Sequence, residues 1–176
     1  DLVTTGFVQY DETKLAHIHP RVSGWVEKLY VTAAGDPVEA DMPLYTLYAP
    51  ELVNAQEELV IAIKRANPNL IKAAEARLQA LQVPDSAIQS LKKTLSVRQT
   101  VAFYAAQSGV VDTLNIREGF FVDPATTLMS IGQLESVWVG VDIPERQAAL
   151  VKMGDDITMT LDYFPGRVWQ GTVSFI

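Results

Sequence analysis

The apolar spacing changes period along the chain and marks out its elements. Val3 to Tyr10 mixes Thr, Val and aromatic residues, the composition of a strand, and Asp11-Glu12-Thr13 follows as a turn. A short run from Leu15 to His19 ends at Pro20. Val26, Leu29 and Val31 open a strand, a Gly35-bearing turn follows, and a second run ends at Leu44 and Leu47. Between 50 and 95 glycine vanishes and Ala, Leu, Gln, Glu and Lys dominate. Apolar residues there recur at three and four: Leu52, Ala55, Leu59, Ala62 and Ala66, then Leu70, Ala74, Leu78 and Leu81, then Ile88, Leu91 and Leu95. Asn67-Pro68-Asn69 and Val83-Pro84-Asp85 break the pattern, so it predicts three amphipathic helices in a small bundle or hairpin. Pro50 suits a first helical position, and Asp85 or Ser86 is placed to cap the third helix. Val97 to Ala106 returns to strand character. Ser136 to Val141 alternates around Trp138, and Pro144 to Lys152 reads as a short helix. Ile157, Met159, Leu161 and Tyr163 alternate on one strand, Pro165-Gly166 turns it, and Trp169, Gly171, Val173 and Phe175 alternate again.

One stretch occurs twice. Residues 23–47 and 108–131 align with an offset of 85 up to Val31/Ile116 and of 84 from Gly35/Gly119. In that register Ser23-Gly24 meets Ser108-Gly109, Glu27 meets Asp112, Leu29 meets Leu114, Val38 meets Val122 and Leu44 meets Leu128. Each copy reads as strand, turn, strand and cannot bury its apolar face alone. Two such halves can close on each other as a flattened sandwich. The expected architecture is mainly β, with an inserted helical hairpin or bundle: a split sandwich domain over 21–49 and 97–132, the insert over 50–96, and an incomplete antiparallel β-barrel domain over 133–176. Residues 1–20 form an N-terminal arm expected to pair with the barrel region.

Length and composition narrow the function. A chain of 176 residues with 48% hydrophobic and 20% charged residues is ordinary globular material. Net charge is −7 and no basic run stands out, which argues against a nucleic-acid partner. No window approaches eighteen apolar residues. The absence of cysteine removes disulfides, thiolate metal sites and thiol nucleophiles. The chain opens at Asp1 without an initiator Met, and Ile176 falls inside an alternating run, so both ends read as cut.

Two half-motifs split by a helical insert, then a barrel opening on Val137-Trp138-Val139 and Ile143-Pro144-Glu145, resemble the periplasmic adaptor proteins, or membrane fusion proteins, of RND-type tripartite efflux pumps. The stretches Ser23-Gly24-Trp25-Val26-Glu27-Lys28-Leu29-Tyr30, Ala49 to Leu59 and Val83-Pro84-Asp85-Ser86-Ala87-Ile88 look like the heavy-metal, CusB-like branch, and the short insert with its second break at Pro84 looks like that branch's folded-back bundle. The resemblance implies a lipoyl-like barrel-sandwich domain and a non-enzymatic scaffold in the periplasm, associated with the inner membrane. It implies an inner-membrane RND transporter and an outer-membrane channel as partners, a hexameric ring of copies, and copper or silver as cargo. An adaptor for drugs or another substrate, and a metal-binding chaperone that ligates the ion itself, stay open. The half-motif is also similar to biotinyl and lipoyl carriers. A carrier needs a lysine at the tip of a tight hairpin joining its halves, whereas here a helical insert fills the junction and no Met-Lys-Met or Asp-Lys-Ala occurs. No cofactor is expected.

Candidate chemistry is sparse. Met42, Met129, Met153 and Met159 are scattered, and the resemblance implies that the branch's Met ligands lie upstream of Asp1. His17 and His19 would share one strand face about 7 Å apart. Two ligands with no third beside them fit strand-surface residues better than a metal centre. No Gly-rich phosphate loop, Gly-x-Ser-x-Gly or His-Glu-x-x-His occurs. The resemblance points the helical insert at the channel, with one of its breaks at the extremity, so Asn67, Asn69, Val83 and Asp85 are the expected partner-binding residues.

Overall fold

The computed structural model describes residues 2–176. The strands are β1 (Gly6–Tyr10), β2 (Leu15–Ile18), β3 (Gly24–Leu29), β4 (Pro37–Val38), β5 (Pro43–Tyr48), β6 (Thr100–Tyr104), β7 (Gly109–Leu114), β8 (Phe121–Val122), β9 (Met129–Gly132), β10 (Val137–Val141), β11 (Asp156–Thr160) and β12 (Val168–Thr172). The helices are α1 (Pro50–Lys64), α2 (Pro68–Ala80), α3 (Asp85–Thr94) and α4 (Glu145–Ala148). The chain divides into two units, Tyr10–Trp138 and a smaller one that joins the N-terminal segment up to Gln9 with Val139–Ile176.

The larger unit contains two four-stranded antiparallel sheets, β6-β5-β3-β8 and β2-β9-β7-β4. The repeated stretches exchange their short strands. β4 from the first half pairs with β7 of the second, and β8 from the second pairs with β3 of the first. The exchange is reciprocal down to single hydrogen bonds. Gly35 N–H donates to Val111 O, and Gly119 N–H donates to Val26 O. Val111 N–H donates to Asp36 O, and Val26 N–H donates to Phe120 O. Gly35 and Gly119 both take the left-handed region, at φ +97° and +85°, where a side chain would be strained. Both long strands bulge at the repeated acid, between Val26 and Lys28 and between Val111 and Thr113.

The core is paired in the same way. Val26/Val111, Val31/Ile116, Val38/Val122, Leu44/Leu128 and Leu47/Ile131 are all at most 3% exposed. Fully burying one aliphatic side chain is worth roughly 1.5–3 kcal/mol, so these five pairs contribute substantially to closing the halves. The repeat also reaches further than residues 23–47 and 108–131. β2 lies beside β9 as β6 lies beside β5: Ala16↔Ile131 corresponds to Val101↔Leu47, and Ile18↔Met129 to Phe103↔Tyr45. The expected assignment of all of 1–20 to a barrel-pairing arm is thereby corrected. β1 does pair with β10, but β2 is an edge strand of the sandwich, because Ala16 and Ile18 repeat the inward parity of Val101 and Phe103.

Three helices fill the junction. Leu52, Ala55 and Leu59 of α1, Leu78 of α2, and Ile88 and Leu91 of α3 belong to the same buried cluster as the sandwich core. Pro50 occupies a first-turn position of α1 with Glu51 beside it. The third helix lacks the expected cap: Pro84 is at its N-cap position with no side-chain bond, and Asp85 is already inside the first turn. Gln56 is buried and closes the insert. Its Nε2 donates to Leu52 O (3.1 Å) and Arg98 O (2.9 Å), and its Oε1 accepts from Arg98 N–H (3.0 Å). The side-chain amide thus pairs with the returning backbone as a neighbouring strand would.

In the smaller unit β1 pairs with β10, and β11 pairs with β12 in the register Ile157↔Gly171 and Met159↔Trp169. The expected alternation stops early. Phe164 N–H donates to Leu161 O, so Leu161 and Tyr163 belong to a turn that ends the strand at Thr160. The expected helix from Pro144 to Lys152 is only the four residues of α4.

Candidate functional site

The insert presents two turns with opposite characters. At the first, α1 ends in a Schellman arrangement: Ala66 N–H donates to Ile63 O (2.9 Å) and Asn67 N–H to Ala62 O (3.4 Å). Ala66 takes φ +50°, the conformation usually left to glycine. Asn67 then caps α2, its Oδ1 accepting from Asn69 N–H (3.1 Å) and Leu70 N–H (3.3 Å), with Pro68 at the first helical position. Every residue from Lys64 to Leu70 is exposed.

The second turn repeats the chemistry but buries its apolar residue. Gln82 N–H donates to Gln79 O and Val83 N–H to Leu78 O, with Gln82 at φ +60°. Val83 is the apolar residue that such a motif packs against the preceding turn, and both Val83 and Leu78 are buried. Val83 therefore offers no surface to a partner, which corrects its place among the expected contacts. The turn also leans on the sandwich. With its amide oxygen facing Arg21, Gln82 accepts from Nε (3.2 Å) and Nη2 (3.0 Å). Asp85 is exposed and lines the same open cleft as His17, His19 and Tyr104. Of the two breaks, the α1–α2 turn is exposed at every residue, whereas the second buries Val83 and meets Arg21.

Ion pairs sort the charges of the bundle. Arg77 of α2 pairs with Glu58 and, at 3.8 Å, with Glu51 of α1, and Lys92 of α3 pairs with Glu75 of α2. These side chains are partly exposed, so each pair is worth at most about 1 kcal/mol.

His17 lies in β2 opposite Ser130, and His19 lies beyond the end of that strand, its Nε2 3.5 Å from Thr127 Oγ1. Among the described residues no group of three or more His, Asp or Glu side chains is placed to hold an ion. Met129 is buried in the core and Met153 is exposed in the smaller unit. Two carboxylates have specific settings. The Thr13 hydroxyl, with help from Ser136, holds the Asp11 carboxyl below the usual carboxylate range. Asp36 is lowered by the Thr32 amide, the Thr32 hydroxyl and the Ala33 amide, all donating to Oδ2. Burial alone pushes the Tyr45 phenol up, where it stacks on Phe103 with ring centroids 5.1 Å apart. All three serve turns or packing.

Comparison with known proteins agrees with this layout. Residues 15–132 match the family model described as "CusB, barrel-sandwich hybrid domain", and residues 136–176 match "CusB-like, beta-barrel domain". The putative membrane fusion protein SilB of Salmonella typhimurium is 28% identical over 164 residues, which cover 93% of this chain and 38% of that protein. The cation efflux system protein CusB of Escherichia coli K12 is 28% identical over 161 residues, 91% of this chain and 40% of its own length. The chain thus spans about two-fifths of the curated relatives it matches. The crystal structure of ZneB from Cupriavidus metallidurans shares the fold at 20% identity, with a TM-score of 0.60 over 99% of this chain and 84% of that one. With one family match over the interlocked sandwich and the next over the strands that follow it, the chain belongs to the CusB-like membrane fusion proteins.

Proposed function

We propose that the chain is part of a periplasmic adaptor that joins an inner-membrane RND transporter to an outer-membrane channel and exports copper- or silver-type cations. The observation that carries this reading is the similarity to SilB and to the cation efflux protein CusB, which runs through more than nine-tenths of the chain. The architecture supports a scaffold and not a catalyst: its buried polar side chains, Asp11, Gln56 and Ser130, are hydrogen-bonded structural groups. In this reading the protein works in the periplasm at the inner membrane as a ring of like copies. The smaller unit meets the transporter, and the α1–α2 turn with Asn67 and Asn69 meets the channel.

The test is complementation. A strain lacking the adaptor of its own silver- and copper-exporting RND system should regain tolerance to both ions when the full-length protein is supplied. Regained drug tolerance with no change in metal tolerance would transfer the chain to a drug-exporting system. Calorimetric titration with Ag(I) and Zn(II) addresses the chaperone alternative. No tight binding is expected, and tight binding abolished by His17→Ala/His19→Ala would make the chain itself a metal handler.

A further inference from the structure

We infer that the α1–α2 turn docks on an acidic protein surface with an apolar centre. This rests on the reading of that turn as the channel-facing end and specifies the chemistry of what it meets.

The observation is a segregation of charge. Residues 59–74 carry Lys64, Arg65 and Lys72 and no acid, in a chain whose net charge is −7. All three cations are exposed, and among the described residues none forms an ion pair. Elsewhere in α2 and α3, Arg77 and Lys92 are each paired with a glutamate of a neighbouring helix, and Lys93 is an exposed cation at the far end of α3. The turn also lacks the usual compensation for a helix start. The cap is the neutral Asn67 and the first turn of α2 holds no acid; the negative dipole end of α1 lies at the same turn and offsets the positive end of α2, so the positive field there is that of the side chains. The cap oxygen and the first amides of α2 satisfy one another, so contact with a partner falls to the side chains around them.

Those side chains include two exposed apolar groups, Ile61 (49%) and Leu70 (44%), one on each helix. Ile61 shares a face of α1 with Lys64 and Arg65 on the side of the turn, and with Glu57 and Glu58 on the side away from it. Exposed apolar groups beside unpaired cations fit a protein surface of opposite sign: the charges steer the encounter and the apolar groups are dehydrated on docking. An anionic membrane fits less well. Recruitment by lipid charge takes clusters of about four to eight basic residues, and this turn has three.

The experiment measures binding of the full-length protein to the purified outer-membrane channel of the same organism's heavy-metal efflux system. Wild type, Lys64→Glu/Arg65→Glu/Lys72→Glu and the charge-preserving Lys64→Arg/Arg65→Lys/Lys72→Arg are compared at low and physiological salt. The reversal should weaken binding at least tenfold, the charge-preserving variant should bind within about twofold of wild type, and wild-type binding should weaken as salt rises. Leu70→Ser should weaken binding at both salt concentrations. All four proteins should melt alike, because the altered side chains are exposed. A charge reversal that binds as wild type overturns the inference and leaves the adaptor reading standing. A wild type that fails to bind the channel overturns both. Binding to vesicles containing phosphatidylglycerol, abolished by the reversal while channel binding is unchanged, would assign the cations to a membrane and also overturn it.

Discussion

Gln56 shows how one side chain can replace a stretch of secondary structure. Its amide meets the amide and the carbonyl of Arg98 and also the Leu52 carbonyl, in a part of the molecule where water cannot easily substitute. Gln56→Leu keeps the volume and removes all three partners, and should cost about 1–3 kcal/mol in chemical denaturation. Ala66 offers the opposite change. It adopts the left-handed conformation with an unnecessary Cβ, so Ala66→Gly should stabilise by about 0.5–1 kcal/mol, visible as a higher denaturation midpoint. Asp36 links turn geometry to pH. Its native pKa is lowered, so its contribution is present above the ordinary carboxylate value and is lost as pH falls through the lowered native value. Melting followed downward from pH 7 should show wild type losing stability across that acid window, and Asp36→Asn losing less.

At the level of elements, two kinds of glycine have different costs. A Cβ on Gly24 would press on the Tyr48 carbonyl, and one on Gly109 on the Gly132 carbonyl, both backbone atoms that cannot step aside. Gly35 has open space and only its φ to lose. Gly24→Ala should therefore cost about 2–3 kcal/mol and Gly35→Ala about 1, an order that urea titration of the two variants can check. The doubled Ser-Gly, acid and Leu positions make the two halves legible in the sequence, and the 3.6-residue stripes make the three helices legible. The exchange of β4 and β8 is not, because two-residue strands carry no periodicity and their partners are far away in the chain. β2 escapes for another reason: Leu15-Ala16-His17-Ile18 and Thr100-Val101-Ala102-Phe103 share inward parity and no residue identity. The helix ends are obscured because glycine is absent from the insert, so Ala66, Gln82 and Leu95 take left-handed positions that no sequence signal announces. Of the candidate site, the breaks can be read at 67–69 and 83–85, but which one is exposed at every residue depends on tertiary packing.

Across the whole molecule, burial is uneven. Helices and sandwich share one buried cluster, whereas no residue from Val139 to Ile176 is buried. Hydrogen exchange should accordingly protect β3, β5, β7 and β9 strongly and β11 and β12 weakly, and Tyr10–Trp138 should unfold in one transition. The traded strands also constrain how the molecule is made. A chain emerging with its N-terminus first presents Val38 long before Gly109, the residue it must lie beside. Until the second half arrives, the first has a sheet without a lid and an edge without a neighbour, which is the kind of surface that aggregates or recruits a chaperone. Contacts this distant in sequence are slow to form. A stop anywhere before residue 109 should leave a protease-sensitive fragment, since the halves can only be completed together.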